Sequence, residues 1–443
     1  VSRKERKLKR QDMPTSPTEE FLKLIWTRRL YTNRELATCD GRPLRVISHG
    51  NINPVAGTDI TDAQIEIDGT VYSGPIAVHA QASLWRRHLH HIDMAYDDCI
   101  LHLVLENDAV VCRVDGSVIP ALILEYPESL NNTFRNLTEG EGRSLCCREL
   151  KRMPQVSLYN TLTRLTIERL ERKYNDFLRL YTEAGNDWNE AFYITLFKSV
   201  GASRNREAYI KLARTVRYRD LCHVKESILS VEALLLGGAG MLDTERNGRF
   251  PDDYTLRLQQ EFDHLARRFG IVPMRYGEWE ISKTRSFSHP VLRIVELAGL
   301  LARKEFLFSN LINCTDVTEI QRILSAEASE YWATHSLPSV RSSRCVKRFG
   351  QMILDVLTIN LVVPMMFAYG KDHADDAMQE RAVEILEQIA PEKNTYTVPW
   401  SERGIRPDNA FFSQALIQLS KEYCEKKRCA TCNIGKMLLC SQE

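Results

Sequence analysis

Imidazole is the side chain most unevenly spread along this sequence. Of eleven histidines, six (His49, His79, His88, His90, His91 and His102) fall between residues 49 and 102. Neutral imidazole ligates Zn²⁺, Mn²⁺ or Fe²⁺ and carries protons near neutral pH. The stretch could therefore hold an ion that activates water, with Asp59 and Asp93 as nearby oxygen donors. The spacing alone does not fix a ligand set. On a helix His88 and His91 share a face, whereas His88 and His90 share one only on a strand. Each histidine taken singly reads more readily as a hydrogen-bonded structural residue, so the crowding speaks for the group.

Thiols form the second concentration. Cys424, Cys429, Cys432 and Cys440 follow the pattern Cys-x4-Cys-x2-Cys-x7-Cys. Four thiolates so close in sequence satisfy a tetrahedral zinc site, and the same spacing suits an Fe-S cluster. Lys426, Lys427 and Arg428 would help stabilise the thiolates. Zinc is the expectation, with the cluster as its alternative. Cys146 and Cys147 are adjacent, point apart and read as structural.

The elements that must position these groups follow from periodicity. Thr18 to Leu30 carries Phe21, Leu22, Ile25, Trp26 and Leu30 at helical spacing. Leu44 to Ser48 reads as a strand, and the loop from Asn51 to Thr58 delivers Asp59. Ala63 to Asp68 alternates, with Ile65 and Ile67 on one face and Gln64, Glu66 and Asp68 on the other. Asp68-Gly69 signals a tight turn, so Thr70 to Ala80 returns as the second strand of a hairpin. On that strand Ala77 and His79 share a face. Ser83 is expected to cap a helix burying Trp85, Leu89 and Ile92. Cys99 to Glu106 reads as a buried strand carrying His102, and Ala109 to Val114 and Val118 to Glu125 as further strands. Asn131 to Arg143 reads as a polar connector closing an α/β domain near residue 150.

From Val156 the pattern is helical: Leu158–Glu183, Trp188–Val200, Asn205–Arg217, Leu221–Leu236, Asp253–Phe269, His289–Glu305, Val317–Trp332, Gly350–Tyr369 and Asp375–Gln388. Gly237 to Gly240 reads as a helix stop rather than a phosphate cradle, since no strand precedes it. Asp408 or Asn409 caps a last helix, Asn409–Tyr423, which runs into the cysteines. The expected class is α+β: residues 16–150 mixed α/β, 151–408 all-helical and 409–443 a terminal helix with its cysteine clamp.

The 443 residues exceed one ordinary core, and 44% hydrophobic with 26% charged residues is a globular composition. A net charge of +1 exerts no overall pull on nucleic acid or acidic lipid. The basic run Arg3, Lys4, Arg6, Lys7, Lys9 and Arg10 reads as a solvated, disordered terminus (residues 1–15). No apolar run reaches the roughly 20 residues of a membrane span. The best, Met352 to Met366, is broken by Asp355, Thr358, Asn360 and Pro364. A cytoplasmic protein without a membrane partner is expected, its twelve cysteines reduced.

The order of segments resembles a bacterial family of similar length named as domain of unknown function 2851. The resemblance rests on Phe21-Leu22-Lys23-Leu24 to Trp26, Gly57-Thr58-Asp59, Gly74 to His79 with Ser83, Trp85, His88 and His90, and Ile100-Leu101-His102. It continues through Glu232 to Gly240, Pro290 with Arg293-Ile294, Asn409 to Leu416, and Tyr423-Cys424 with Cys429, Cys432 and Ile434-Gly435. The family pattern carries the first three of the C-terminal cysteines and a glutamate two residues before the histidine of the Gly74–His79 strand. Loop aspartate, hairpin and Glu-x-His look like the metal-binding core of the PD-(D/E)XK nuclease fold, with histidine in place of lysine.

Here Ala77 stands at the glutamate position. A Mg²⁺ or Mn²⁺ nuclease needs two converging carboxylates, so Asp59 would require Glu66 or Asp62 as its partner. The resemblance implies a nucleic-acid-associated protein with a nuclease-like core, degenerate if no second carboxylate is found. Asp59, His79, Glu66 and His102 are its catalytic candidates, and Trp85, His88 and His90 its substrate contacts. The competing readings are a non-enzymatic helical interaction protein and a metal-dependent hydrolase using the histidines.

Overall fold

The computed structural model describes residues 17–33, 35–53, 57–140, 142–201, 204–243, 250–281, 289–303 and 306–440. The basic run at residues 3–10 lies outside them. The fold is α+β, and the chain forms two compact units. The first takes in 1–162, 394–406 and 416–443, the second 163–393 and 407–415.

The first unit is built on a seven-stranded sheet. Helix α1 (Pro17–Arg28) precedes β1 (Leu36–Ala37), β2 (Pro43–Ser48), β3 (Asn51–Ile52), β4 (Ile60–Ile67) and β5 (Thr70–Gln81). A short helix α2 (Leu84–Arg87) leads to β6 (Leu101–Glu106) and β7 (Ala121–Ile123), followed by α3 (Glu128–Thr138) and α4 (Gly142–Arg152). Strand order is β1-β2-β4-β5-β6-β7, with β3 beside β4. The first four are antiparallel, whereas β5, β6 and β7 run parallel. A parallel step needs a crossover, and residues 82–100, which hold Trp85, His88 and His90, are that crossover.

The β4–β5 hairpin forms as its sequence predicts. Asp68 and Gly69 both take positive φ, 51° and 77°, the conformation that a two-residue turn between right-twisted strands requires. Along β4, Ile60, Ala63, Ile65 and Ile67 are buried and Gln64 is exposed, the alternation of a half-covered sheet. Helix α1 lies on β5 and buries Phe21, Leu22, Ile25 and Trp26.

Three expectations for this unit are corrected. The helix after Ser83 spans only Leu84–Arg87, and Leu89 and Ile92 are 50% and 60% exposed, leaving Trp85 as its one buried residue. The segments 109–114 and 118–125 contribute one three-residue strand and an isolated bridge, Cys112 to Val118. Residues 128–138 are a helix, not a connector. Leu130, Phe134 and Leu137 form its buried stripe, and Asn131, Asn132 and Thr133 lower its helix propensity without breaking it.

Among its described residues the second unit is helical apart from the two-stranded pair His335–Leu337 and Val340–Arg341 and an isolated bridge, Glu327 to Arg348. Trp188–Val200 and Asp253–Phe269 begin at the aspartate caps Asp187 and Asp252, each accepting from main-chain N–H groups. The stretch 221–236 divides into Tyr218–Cys222 and Ile228–Gly238 because Ser227 caps a new start. Gly240, at φ 69°, ends the second of these, as the glycine run predicts. Asn409 caps the helix Ala410–Gln418, its side-chain oxygen accepting from Phe412 N–H at 3.0 Å.

Gln351–Asp372 is continuous despite its polar residues and Pro364, and is long and apolar enough to cross a membrane; 67% of its apolar window is buried inside its own fold. A π-helical stretch at Thr358–Val362 absorbs the proline.

Candidate metal centre

His79 leaves the buried end of β5 three residues before the crossover begins, and Ala77 precedes it on the same face. In the parallel register Ala77 pairs with His102 and His79 with Val104. The two histidines thus meet across the β5–β6 pair, His79 Nδ1 lying 2.8 Å from His102 Nε2. Both rings are buried, at 3% and 0% exposure.

The crossover then returns two further imidazoles to His79. Ligand nitrogens of His79, His88 and His90 all lie within 4.8 Å of one another, and the His88 and His90 rings each sit 5.3 Å from that of His79. Residues two apart on a helix face different ways. The chain resolves this with Leu89, which takes the left-handed conformation at φ 65° between the end of α2 and the 3₁₀ turn His90–Ile92. That reversal is why His88 pairs with His90 rather than His91. No sequence signal announces it, because leucine is a rare occupant of the left-handed region.

Aromatic side chains wall the group. Trp85 is fully buried, its ring 5.4 Å from both His90 and His102, with its N–H donating to the Cys112 carbonyl at 3.2 Å. Tyr96 stacks on His90 at 3.8 Å and donates its hydroxyl to the Gly57 carbonyl at 2.7 Å. Burial, followed by the neighbouring His102, His90, His88 and Lys23, lowers the His79 pKa to about 2. Burial and then His90 lower that of His102 to about 4. Both imidazoles are neutral at physiological pH, the form that ligates metal. With Nδ1 of His79 engaged by His102, Nε2 is its atom available to an ion, and the His79–His102 contact is the outer hydrogen bond that orients a metal-bound imidazole.

The carboxylates do not join this group as a nuclease core would require. Asp59 Oδ2 accepts from Val78 N–H at 2.7 Å, and Oδ1 is 2.5 Å from the Lys23 ammonium of α1. Both of its oxygens are committed. Glu66 sits eight residues before His79 in β-register terms, opposite Val71, and pairs with Arg45. At about 3.3 Å of rise per residue it lies some 26 Å along the strand from His79. Glu66 is therefore not the missing acid. Asp62 is exposed on a bulge of β4 at φ 57°. Asp93 accepts from Ala95 N–H at 3.3 Å and caps a turn. His49 is set apart, bonded to the Tyr31 hydroxyl at 2.9 Å.

Comparison with known families completes the picture. Residues 19–395 match the family described as "Protein of unknown function (DUF2851)". The chain belongs to this family. No curated protein and no solved structure matches it. The family's description names no activity, so the chemistry has to be argued from the side chains.

The C-terminal cysteines lie in the first unit with α3 and α4. Cys424 closes a π-helical stretch, Leu419–Cys424, and Cys440 ends the helix Asn433–Cys440. Nothing in the spacing marks Tyr96 or Leu89 as shaping the histidine group, or Lys23 as the partner of Asp59, because a lysine inside an amphipathic helix carries no sign of a buried partner.

Proposed function

We propose that the protein is a transition-metal-dependent hydrolase acting on phosphodiesters, its ion held by His79, His88 and His90. The observation that carries this reading is the convergence of three imidazole nitrogens within 4.8 Å. Three imidazole nitrogen ligands suit Zn²⁺, Mn²⁺ or Fe²⁺ and leave positions open for water and substrate. A bound ion of this kind supplies a water of lowered pKa and polarises a phosphoryl oxygen.

The chain's own residues do the rest. His102 holds the His79 ring through Nδ1, and Trp85 and Tyr96 restrict the His90 ring. Asp59, immediately before the neighbouring strand β4, accepts the Val78 N–H and so helps fix the position of His79. Arg86 and Arg87 are exposed on α2, immediately before His88, where two guanidinium groups favour an anionic substrate. A nucleic-acid strand is one such substrate, which retains the nucleic-acid association that the resemblance implies. The two-carboxylate Mg²⁺ route is not part of the proposal, because Ala77 supplies no oxygen and both oxygens of Asp59 are taken.

The deciding experiment titrates Zn²⁺ and Mn²⁺ into the metal-stripped chain by calorimetry and assays bis-p-nitrophenyl phosphate and single-stranded DNA. Metal-dependent turnover that disappears in a His88→Ala, His90→Ala double variant is the expected result. Unchanged metal uptake in that variant would sink the reading.

A further inference from the structure

The cysteine-rich end has a geometry that its spacing alone does not give. Lys427, at φ 54°, turns the chain back after Cys424, and Arg428 N–H bonds the Tyr423 carbonyl at 2.8 Å. Cys432 N–H bonds the Arg428 carbonyl at 3.1 Å, and Lys436 N–H bonds the Cys432 carbonyl at 2.8 Å, so the C-terminal helix starts at Cys432 itself. Gly435 lets that helix lie directly on the backbone of Cys429, where any Cβ would collide with the Cys429 carbonyl. Cys440 follows Cys432 by eight residues on this one helix. That is about 12 Å of rise, with both side chains tilted the same way, so the two sulfurs cannot share an ion. The expectation that Cys440 completes the group fails on helix geometry.

Another thiol takes its place. The α3–α4 corner packs on the C-terminal helix, and Cys429 Sγ lies 3.7 Å from the Leu137 carbonyl of α3. Cys146 of α4 is buried at 9% exposure, as is Cys432 at 6%. All six pairs among Cys146, Cys424, Cys429 and Cys432 lie within electrostatic reach of one another. None of the four is in a disulfide. Cys147, one residue on, also lies within electrostatic reach of Cys146 and Cys424, but Arg403, Lys151 and Arg143 surround it.

We infer that Cys146, Cys424, Cys429 and Cys432 form a four-thiolate centre for a soft metal, tying the α3–α4 corner to the C-terminal turn. Four converging thiols from two distant segments match the ligand set of a structural zinc ion or of an Fe-S cluster. Zinc at a bond length of about 2.3 Å draws its sulfurs to about 3.8 Å of one another. Among the described residues, no three of these sulfurs are drawn within 4.8 Å of one another as the three imidazole nitrogens are. A single zinc ion would therefore contract the 424–432 turn, whereas a cluster bridges a wider span. The centre is independent of the histidine group and stands or falls separately from it.

The test uses the full chain with His88→Ala and His90→Ala, which empties the histidine site, purified without oxygen. Metal and acid-labile sulfide are quantified, and X-ray absorption at the metal edge counts the sulfur ligands. The expected result is one centre per chain with four sulfur ligands. Zinc without sulfide, or iron with sulfide and a visible absorption band that bleaches on reduction, each supports the site and identifies its metal. Cys440→Ser should keep all four sulfurs, and Cys147→Ser should keep the metal; Cys146→Ser should lose at least about ten-fold in metal content. Because Cys146→Ser could misfold, the Cys440→Ser spectrum is the decisive arm. Three sulfurs with a lighter ligand in that variant would overturn the assignment, as would a chain that takes up neither zinc nor iron with sulfide on reconstitution.

Discussion

Nδ1 of His79 and Nε2 of His102 lie 2.8 Å apart in a region neither ring shares with solvent. One nitrogen must carry the proton and the other accept it, so neither ring can be charged without breaking the bond or burying a cation. His102 Nδ1 has no partner among the described residues. An ion at His79 Nε2 would fix the proton on His79 Nδ1 and make His102 the acceptor.

Acid should destabilise the first unit through this pair. The unfolded histidines titrate near 6.5, the folded ones at about 2 and about 4. Between these limits the unfolded chain binds more protons, so stability falls as pH falls. Each group contributes about 1.4 kcal/mol per pH unit. Both act from 6.5 down to about 4, and His79 alone below it. Urea midpoints measured across this range should drop with pH, and less steeply in His102→Gln. An equal slope in the variant would count against the pair as the cause.

Metal affinity should depend on the outer hydrogen bond as well as on the ligands. His88→Ala or His90→Ala removes a ligand and should weaken Zn²⁺ binding by about 100-fold or more. His102→Ala frees the His79 ring and should cost about 10- to 100-fold. Calorimetry on the stripped chain would separate the two classes. An affinity indifferent to His102 would mean that His79 binds in some other orientation.

Much of this site was legible in the sequence, and the illegible part has a physical reason. Strand alternation and the Asp68-Gly69 turn place His79 on the face of Ala77 by local rules, whereas the parallel β5–β6 register that sets Ala77 opposite His102 and brings His102 to His79 depends on the crossover and was not legible. The partnership of His88 with His90 was not readable, since it depends on a leucine held at φ 65° by its surroundings. Glu66 has the right chemistry at the wrong end of its strand. Cys440 has the right spacing on a helix that carries it away. In each case residue type was informative, and tertiary placement decided which residue took part.

Leu89 supplies a direct test of that placement. It is half exposed, so its side chain contributes little burial, and glycine adopts its backbone conformation freely. Leu89→Gly should bind metal like the parent with stability changed by less than about 1 kcal/mol. Leu89→Val, whose branched side chain resists the left-handed region, should lose metal affinity. If both bind alike, the reversal at Leu89 does not set the histidine geometry.

The Asp59–Lys23 pair is predicted to be structural. Removing one partner of a nearly buried pair strands the other charge and leaves Val78 N–H without its acceptor. Asp59→Ala should therefore cost about 3–5 kcal/mol, while Asp59→Ala with Lys23→Met should recover part of this. Metal stoichiometry should stay at the parent value in the double variant, because neither residue is a ligand. Loss of the metal there, in a chain that still unfolds cooperatively, would return Asp59 to the ligand set.

In the second unit, Lys173 and Pro364 should be energetically coupled although nothing in their spacing suggests it. In the π-helical stretch Val363 N–H bonds back to the Thr358 carbonyl, so residue 364 in the same register would reach Ile359. Proline has no N–H to offer. The Lys173 amine donates to that Ile359 carbonyl at 3.2 Å and to Asn360 Oδ1 at 3.0 Å. Lys173 is partly buried, and desolvation, then Arg169, lowers its pKa well below the usual lysine value. Lys173→Met should leave the carbonyl unsatisfied, at a cost of about 1–3 kcal/mol. Pro364→Ala supplies the missing N–H, so Lys173→Met should cost about 1 kcal/mol less in that background. A double-mutant cycle from urea unfolding measures the difference, and strict additivity would show that Lys173 is not substituting for the bond that proline cannot make.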